Sequence, residues 1–277
     1  LGLDPRSSLD DILSLDLDTL AERRIEGAMC RVGNREVVER CLAMASLVGP
    51  EPPWFVVKEA GEDGLEGLLA LGLVRQRGAR LVFEHGRIWW AARRMAERRP
   101  DLEKNHRALA EAWKKLGTST GMNVDHQVGE HRLYGGQLEA AVMPLLRAGK
   151  QAQVEGRPVH ALSVSELAVR AADGTQTLMA RAEARRRVAE ALLELERPDE
   201  ALEMLDEAHD LGGLDRRSVA ELNLVGARAV IAQGRLVVGR KLLLRSGRVF
   251  EALHDWRGLV EVSHGLGILH REEGEPE

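Results

Sequence analysis

Turn residues recur along the second half of this chain at intervals near 20 and 40, and that spacing restricts the available folds more than any other feature. Gly136-Gln-Leu-Glu-Ala-Ala, Gly156-Arg-Pro-Val-His-Ala-Leu, Glu196-Arg-Pro-Asp-Glu-Ala-Leu, Gly234-Arg-Leu-Val-Val-Gly and His254-Asp-Trp-Arg-Gly-Leu each put a turn residue about four positions ahead of small or apolar ones. The steps between them are 20, 40, 38 and 20 residues, the lengths of one helix and of one helix pair. A helix pair cannot bury its apolar face alone, so pairs of this length stack into an α-solenoid. Ala161, Ala201 and Gly239 fall early in the second helix of successive pairs, where a small side chain lets neighbouring helices approach.

The helical periodicity agrees. After Pro100 no stretch reads as a strand, and helices are expected at about 123–134, 137–154, 158–172, 176–195, 198–211, 216–233, 235–252 and 255–271. Before them Asp101 is placed to cap a helix whose Leu102, His106, Leu109, Ala110, Trp113 and Leu116 share one face, ending at Gly117. The terminal stretch from Glu272 to Glu277 is acidic and is expected to fray.

The first hundred residues follow a different plan. Ser7, Ser8 and Asp10 supply caps ahead of a helix carrying Leu17, Leu20, Ala21, Ile25 and Ala28. A second helix over 35–48 has a wide apolar stripe of Val37, Val38, Cys41, Leu42, Ala45 and Leu47, and stops at Gly49-Pro50. Beyond Pro52-Pro53 comes a short turn of helix with Trp54, Phe55 and Val56. A break from Gly61 to Gly64 follows, then Leu65, Leu68, Leu69 and Leu71 as a third helix ending at Gly72. The run from Leu73 to Phe83 reads as two short strands around Gly78, and a basic helix begins near Gly86. Three helices and a hairpin within about 60 residues are the element order of a winged helix.

Composition removes several function classes. No apolar run nears the roughly 20 residues that a membrane helix needs; the richest, Leu65 to Val74, is too short. Cys30 and Cys41 stand eleven positions apart, which fits neither a metal site nor a disulfide framework, so a reducing cytoplasm is the expected compartment. The chain opens Leu-Gly-Leu-Asp without an initiator Met or a leader, and so reads as an excised piece of a longer polypeptide. A formal net charge of −5 gives no cationic field for non-specific nucleic-acid binding.

Taken in order, several pieces resemble one family. Leu20-Ala-Glu-Arg-Arg-Ile25, Val38-Glu-Arg-Cys-Leu-Ala-Met-Ala-Ser-Leu-Val-Gly49, Leu65-Glu-Gly-Leu-Leu-Ala-Leu-Gly-Leu-Val74, Val82-Phe-Glu-His-Gly86 and His106-Arg-Ala-Leu-Ala110 look like the segment after the nucleotide-binding core in STAND-type signalling ATPases. The similarity is to bacterial kinase-linked and maltose-regulator-like forms. Ala140 to Ala148, Gly149-Lys-Gln-Ala152 and Ala161 to Ala171 look like the start of the tetratricopeptide array that follows in that family. The resemblance implies a mainly α chain: a helical lead-in over 1–34 from a missing NTPase core, a winged-helix domain over 35–99, and a tetratricopeptide-like α-solenoid over 100–277. It also implies a role for His85. Phe83-Glu84-His85 matches the family's Phe-x-His motif, whose histidine contacts the nucleotide phosphate and holds the resting state closed.

One departure decides the enzymology expected of the chain. The 277 residues hold no Gly-rich P-loop with its Lys-Ser/Thr and no acidic strand end for magnesium, so no ATP hydrolysis and no bound cofactor are expected. Gly-x-Ser-x-Gly is absent too.

Other features carry a bland reading beside the functional one. His85 could equally cap a helix or bond a carbonyl. Trp89 and Trp90 stand about 100° apart on a helix, so one ring is expected inside the winged helix and the other at its junction with the array. Arg93, Arg94, Arg98 and Arg99, and Arg181, Arg185, Arg186 and Arg187, are interleaved with Glu97, Glu183, Glu190 and Glu194 and read as solvated faces with i,i+4 pairs. Among His106, His126, His131, His160, His209, His254, His264 and His270 the close spacings are five and six, not the four that joins two imidazoles on one helix, so no metal is expected.

The leading expectation is therefore a non-catalytic regulatory region. Its repeat surface takes a protein partner or effector, and its winged helix packs against an upstream nucleotide-binding domain. The alternative is a DNA-binding transcriptional regulator that uses the winged helix. The third helix of that unit, which would enter the major groove, carries no basic residue between Leu65 and Leu71, so nucleic acid is not an expected partner.

Overall fold

The computed structural model describes residues 17–61 and 64–274. The expected caps at Ser7, Ser8 and Asp10 and the last three residues of the acidic terminus lie outside them. Within the described residues the protein is mainly α. Two compact units divide it, one up to Gln137 and one from Leu138 onward.

The first unit runs α1 (Leu17–Met29), α2 (Arg35–Val48), α3 (Trp54–Gly61), α4 (Gly64–Ala70), β1 (Val74–Arg77), β2 (Arg80–Phe83), α5 (Gly86–Glu97), α6 (Leu102–Thr120) and α7 (Asp125–Tyr134). The apolar stripe of α2 decides its packing, because Val38, Cys41, Leu42 and Ala45 enter one core with Ile25 and Met29 of α1, Leu68 of α4 and Ile88 of α5. The same core takes Val74, Leu81 and Phe83 from the hairpin, so α1 is part of the body that it precedes. Leu17 is the exception in its stripe: it points outward.

The hairpin pairs Val74 with Phe83 and Arg77 with Arg80. Its turn needs Gly78, whose φ of 58° lies in the left-handed region that side chains resist. The preceding prolines add an edge, since the Leu81 amide donates to the Pro52 carbonyl at 2.8 Å and the Trp54 amide to the Ala79 carbonyl at 3.0 Å. Three helices, this hairpin and then α5 follow the order of a winged helix.

A second core continues from the other side of α2. Met44 and Leu47 meet Val56 and Ala60 of α3, Leu109 and Trp113 of α6, and Val128 of α7. Two details of α6 differ from the sequence reading. It runs through Gly117 to Thr120 and closes at Gly121, whose φ of 71° lets its amide reach the Gly117 carbonyl. Asp101 sits at the N-cap, yet its carboxylate caps no amide; it turns back onto the Arg99 guanidinium at 2.8 Å. A guanidinium two residues back outcompetes the neutral amides of the helix end for this carboxylate.

The second unit is an α-solenoid of tetratricopeptide-like pairs: α8 (Leu138–Val154) with α9 (Pro158–Asp173), α10 (Leu178–Glu194) with α11 (Pro198–Asp210), α12 (Arg216–Ala232) with α13 (Leu236–Ala252), and α14 (Trp256–Glu272). The recurring turn residues share one geometry. Gly136, Gly156, Glu196, Gly234 and His254 all have positive φ, between 52° and 74°. After each, the next amide reaches back five residues: Gln137 to Arg132, Arg157 to Ala152, Arg197 to Leu192, Arg235 to Val230 and Asp255 to Phe250, all at 2.9–3.0 Å. This is a Schellman closure, which satisfies the last carbonyls of one helix and aims the chain into the next.

The small residues also hold equivalent places. Ala161, Ala201 and Gly239 are each the fourth residue of α9, α11 and α13, and each is buried. A Cβ on Gly239 would collide with Ile231 of α12. Close approach at that point brings two helices of a pair into contact along their length.

Candidate functional site

The first helices of successive repeats touch one another, α8 to α10, α10 to α12 and α12 to α14. The second helices make no comparable contact with each other among the described residues. The array therefore bends toward its first helices, and these line the concave side. On that side Lys150, Arg186, Glu190, Glu221, Arg228 and Glu261 border a hollow of about 460 Å³.

Its floor is an ion network. Arg186 is nearly enclosed, and burial alone would depress its basicity; the carboxylates of Glu190, Glu183 and Glu221 outweigh that and raise it. Its Nη2 stands 2.6 Å from Glu183. Arg187 bridges Glu183 and Glu190 at 2.9 Å each, and Arg217 joins Glu221 at 3.2 Å to Asp255 at 2.9 Å. Nearby, Arg185 holds Asp173 at 2.7 Å and Glu207 at 3.1 Å.

These arginines are expected on solvated faces, and Arg187, at 16% exposed, is not, nor are two others whose partners reach further. The side chains of Arg185 and Arg186 are only 10% and 13% exposed, and their partners come from other helices as well as their own. Buried guanidiniums with several carboxylate acceptors fix helix register and leave nothing free for a nucleic-acid backbone.

Three cations of the hollow stand outside the network. Lys150, Arg228 and Arg257 have no ion pair or side-chain hydrogen bond among the described residues. Arg228 is half-buried, and it also borders an adjoining apolar hollow lined by Leu193, Ile231, Ala232 and Ile268.

A second candidate lies in the first unit. His85 is exposed and precedes α5 with extended backbone, φ −142° and ψ 145°, while its ring caps no amide. Around it Gly86, Arg87, Trp90, Arg94 and Asp18 form an open hollow. Arg94 reaches Asp18 at 2.6 Å and Glu22 at 3.3 Å, and Arg87 reaches Asp18 at 3.4 Å. The Arg94 Nε is buried without a partner among the described residues. The imidazole and the start of α5 thus share this hollow with two guanidiniums that already hold carboxylate partners, Asp18 and Glu22.

The two tryptophans divide, but only Trp89 takes its expected place; Trp90, expected at the junction with the array, is an exposed ring instead. Trp89 donates its indole N–H to the Ser46 carbonyl at 2.9 Å and packs on the first core. Trp90 is 55% exposed at the rim of the His85 hollow. The short helix α4 turns Leu65 and Leu68 inward and shows no basic group for a DNA groove.

Sequence spacing missed one histidine pair. His106 on α6 and His131 on α7 lie together although 25 residues apart. Among the described residues no group of three or more His, Cys, Asp or Glu side chains is arranged to hold a metal ion. Cys30 is exposed, whereas burial pushes the Cys41 thiol up to about 12. No helix is long and apolar enough to cross a membrane among the described residues.

No protein-family model and no curated protein matches this sequence. One solved structure resembles its fold along 98% of the chain: a Signal Transduction ATPase with Numerous Domains (STAND) protein with a tetratricopeptide repeat sensor, from Pyrococcus horikoshii. The TM-score is 0.59 at 15% sequence identity. The chain spans 39% of that protein's length.

Proposed function

We propose that this chain is the non-catalytic regulatory region of a STAND-type signalling ATPase, in which the repeats sense a protein partner or effector and the winged helix passes the signal on. The functional parts in this reading are the lead-in over 1–34, the winged helix over 35–99 and the repeats over 100–277. The observation that carries it is the concave face of the repeat array. Its ordered ion network and surplus cations make a built surface, which suits recognition. The fold likeness to a STAND protein, along nearly the whole chain, supports the same reading.

Coupling follows from differential affinity. A ligand that prefers one placement of the array shifts the closed-to-open balance by its preference between the two states and no more. His85 is the contact we assign to the nucleotide phosphate of an adjoining core. Its exposed ring, beside the α5 amides, Arg87 and Arg94, is the reason. Such a contact favours the resting state as long as nucleotide is bound.

Two measurements test the proposal. The chain alone turns over no ATP; inhibitor-sensitive hydrolysis would remove the non-catalytic reading. In a polypeptide that includes the nucleotide-binding core, H85A raises basal ATPase while the fold is unchanged by circular dichroism. Unchanged basal turnover would return His85 to a structural role.

A further inference from the structure

We propose that the concave face of α10, α12 and α14 docks an acidic peptide segment of a partner protein, with Arg228 pairing a carboxylate while a neighbouring aliphatic side chain enters the adjoining apolar hollow. This rests on reading the array as a recognition surface and adds the chemistry of what it recognises.

Charge accounting on that face supplies the first argument. Glu190, Glu221 and Asp255, with Glu183 beside them, already hold Arg186, Arg187 and Arg217. What is left over in the same hollow is three cations, Lys150, Arg228 and Arg257, against one unmatched carboxylate, Glu261. The surplus is positive although the whole chain carries −5. An acidic chain with a locally cationic groove repels itself elsewhere and draws an acidic ligand to one place.

The second argument is Arg228 itself. Arg228 is half-buried as a residue and has no ion pair or side-chain hydrogen bond among the described residues, so its charge gains no partner within the fold. Arg185 and Arg186, on the preceding first helix, each have carboxylates from more than one helix. Arg228 is thus the member of this set left free to take an acceptor from outside the fold.

Shape selects a peptide. Arg228 borders both hollows, the charged one toward Glu221 and the apolar one toward Ile231 and Ile268, with Glu272 on its far rim. An extended segment advances about 3.3 Å per residue and alternates its side chains, so a carboxylate on Arg228 leaves an aliphatic neighbour within reach of the apolar hollow. The paired carboxylates of the floor disfavour a dense phosphate charge and tolerate dispersed carboxylates.

The test is a phage-displayed library of random twelve-residue peptides selected on the full chain, with the recovered peptides titrated by fluorescence anisotropy. Expected are sequences with several Asp or Glu flanking Leu, Ile or Val. Their binding should weaken roughly tenfold or more in R228E, several-fold in R257E, and also as salt rises. Recovery of basic or uncharged sequences, of none, or of acidic ones indifferent to both variants would overturn the proposal. So would tighter binding of inorganic pyrophosphate at Arg228 than of any recovered peptide. Arg257 is exposed, so R257E keeps the result readable should R228E perturb folding.

Failure here is separable from failure of the sensing role. If H85A raises basal turnover in the polypeptide with its core while no acidic peptide depends on Arg228, the regulatory reading stands and only the ligand chemistry falls.

Discussion

The Nδ1 atoms of His106 and His131 lie 3.0 Å apart in the interior between α6 and α7, their ring centroids 5.1 Å apart, with the Tyr134 ring 5.4 Å from that of His106. At that distance one ring must donate its Nδ1–H and the other accept, so the pair is held in two different neutral tautomers. Both pKa values fall far below the ordinary imidazole value. Burial takes His106 to about 4, helped by Arg93 and opposed by Glu97. Burial, then His106, Arg93 and His126, take His131 to about 3.

This pair should make the first unit sensitive to acid. A histidine with depressed folded pKa binds fewer protons when folded than when unfolded, between the folded value and about 6.5. Stability is therefore fully present above about pH 6.5 and declines as pH falls toward 4. From pH 7 to pH 5 the loss is about 2 kcal/mol per histidine. Urea titrations at both pH values check this, and H131Q should lose about half the difference. An equal difference in variant and native protein would refute the assignment.

The repeat turns are expected to be improvable. Glu196 and His254 occupy the left-handed position that Gly136, Gly156 and Gly234 hold in the other turns, with φ of 58° and 52°. A Cβ there costs about 1 kcal/mol. E196G and H254G should each raise stability by about 0.5–1 kcal/mol, and together add, since the turns are distant. Calorimetric melting of the three proteins checks it; a lower melting temperature for either single variant contradicts the turn assignment.

These same turns show why so much of the second unit was readable. A Schellman closure needs a residue tolerant of positive φ at one position, and glycine at three of the five turns marks it in one dimension. The small residues at Ala161, Ala201 and Gly239 are local marks too. The helix ends near Gly117 and Asp101 were misread because the deciding partners are elsewhere: Gly117 is closed over by Val124, and Asp101 is taken by Arg99. The candidate sites were hardest to read. Nothing in the run from Arg185 to Arg187 tells which guanidinium faces Asp173 or Glu221, or that Arg228 is left without one. The His106 and His131 pair is likewise made by two helices meeting, and spacing along one helix cannot show it.

Two glycines of α14 should respond oppositely to alanine. A Cβ on Gly258 would strike the ring of Phe250, which is fully buried, whereas Gly267 has nothing within 4 Å. G258A should cost about 1–3 kcal/mol by overpacking. G267A, in the middle of the same helix, should gain up to about 1 kcal/mol from helix propensity. Equilibrium denaturation of both separates packing from propensity, and equal effects would show that the α13 and α14 contact is not tight.

Arg186 ties two first helices of the array together from a nearly enclosed position. Its guanidinium contacts Glu183, Glu190 and Glu221, and the Glu190 side chain is itself only 12% exposed. R186M keeps the volume but strands these carboxylates, with Arg187 left to neutralise Glu183 and Glu190 alone. Uncompensated buried charge costs roughly 3–5 kcal/mol, and partial compensation by Arg187 places the loss near the lower end. E190Q in the R186M background should recover part of it, because one of the stranded charges is then removed. A double-mutant cycle by urea denaturation measures both effects. If E190Q costs the same with and without Arg186, the network is an arrangement of side chains without energetic coupling.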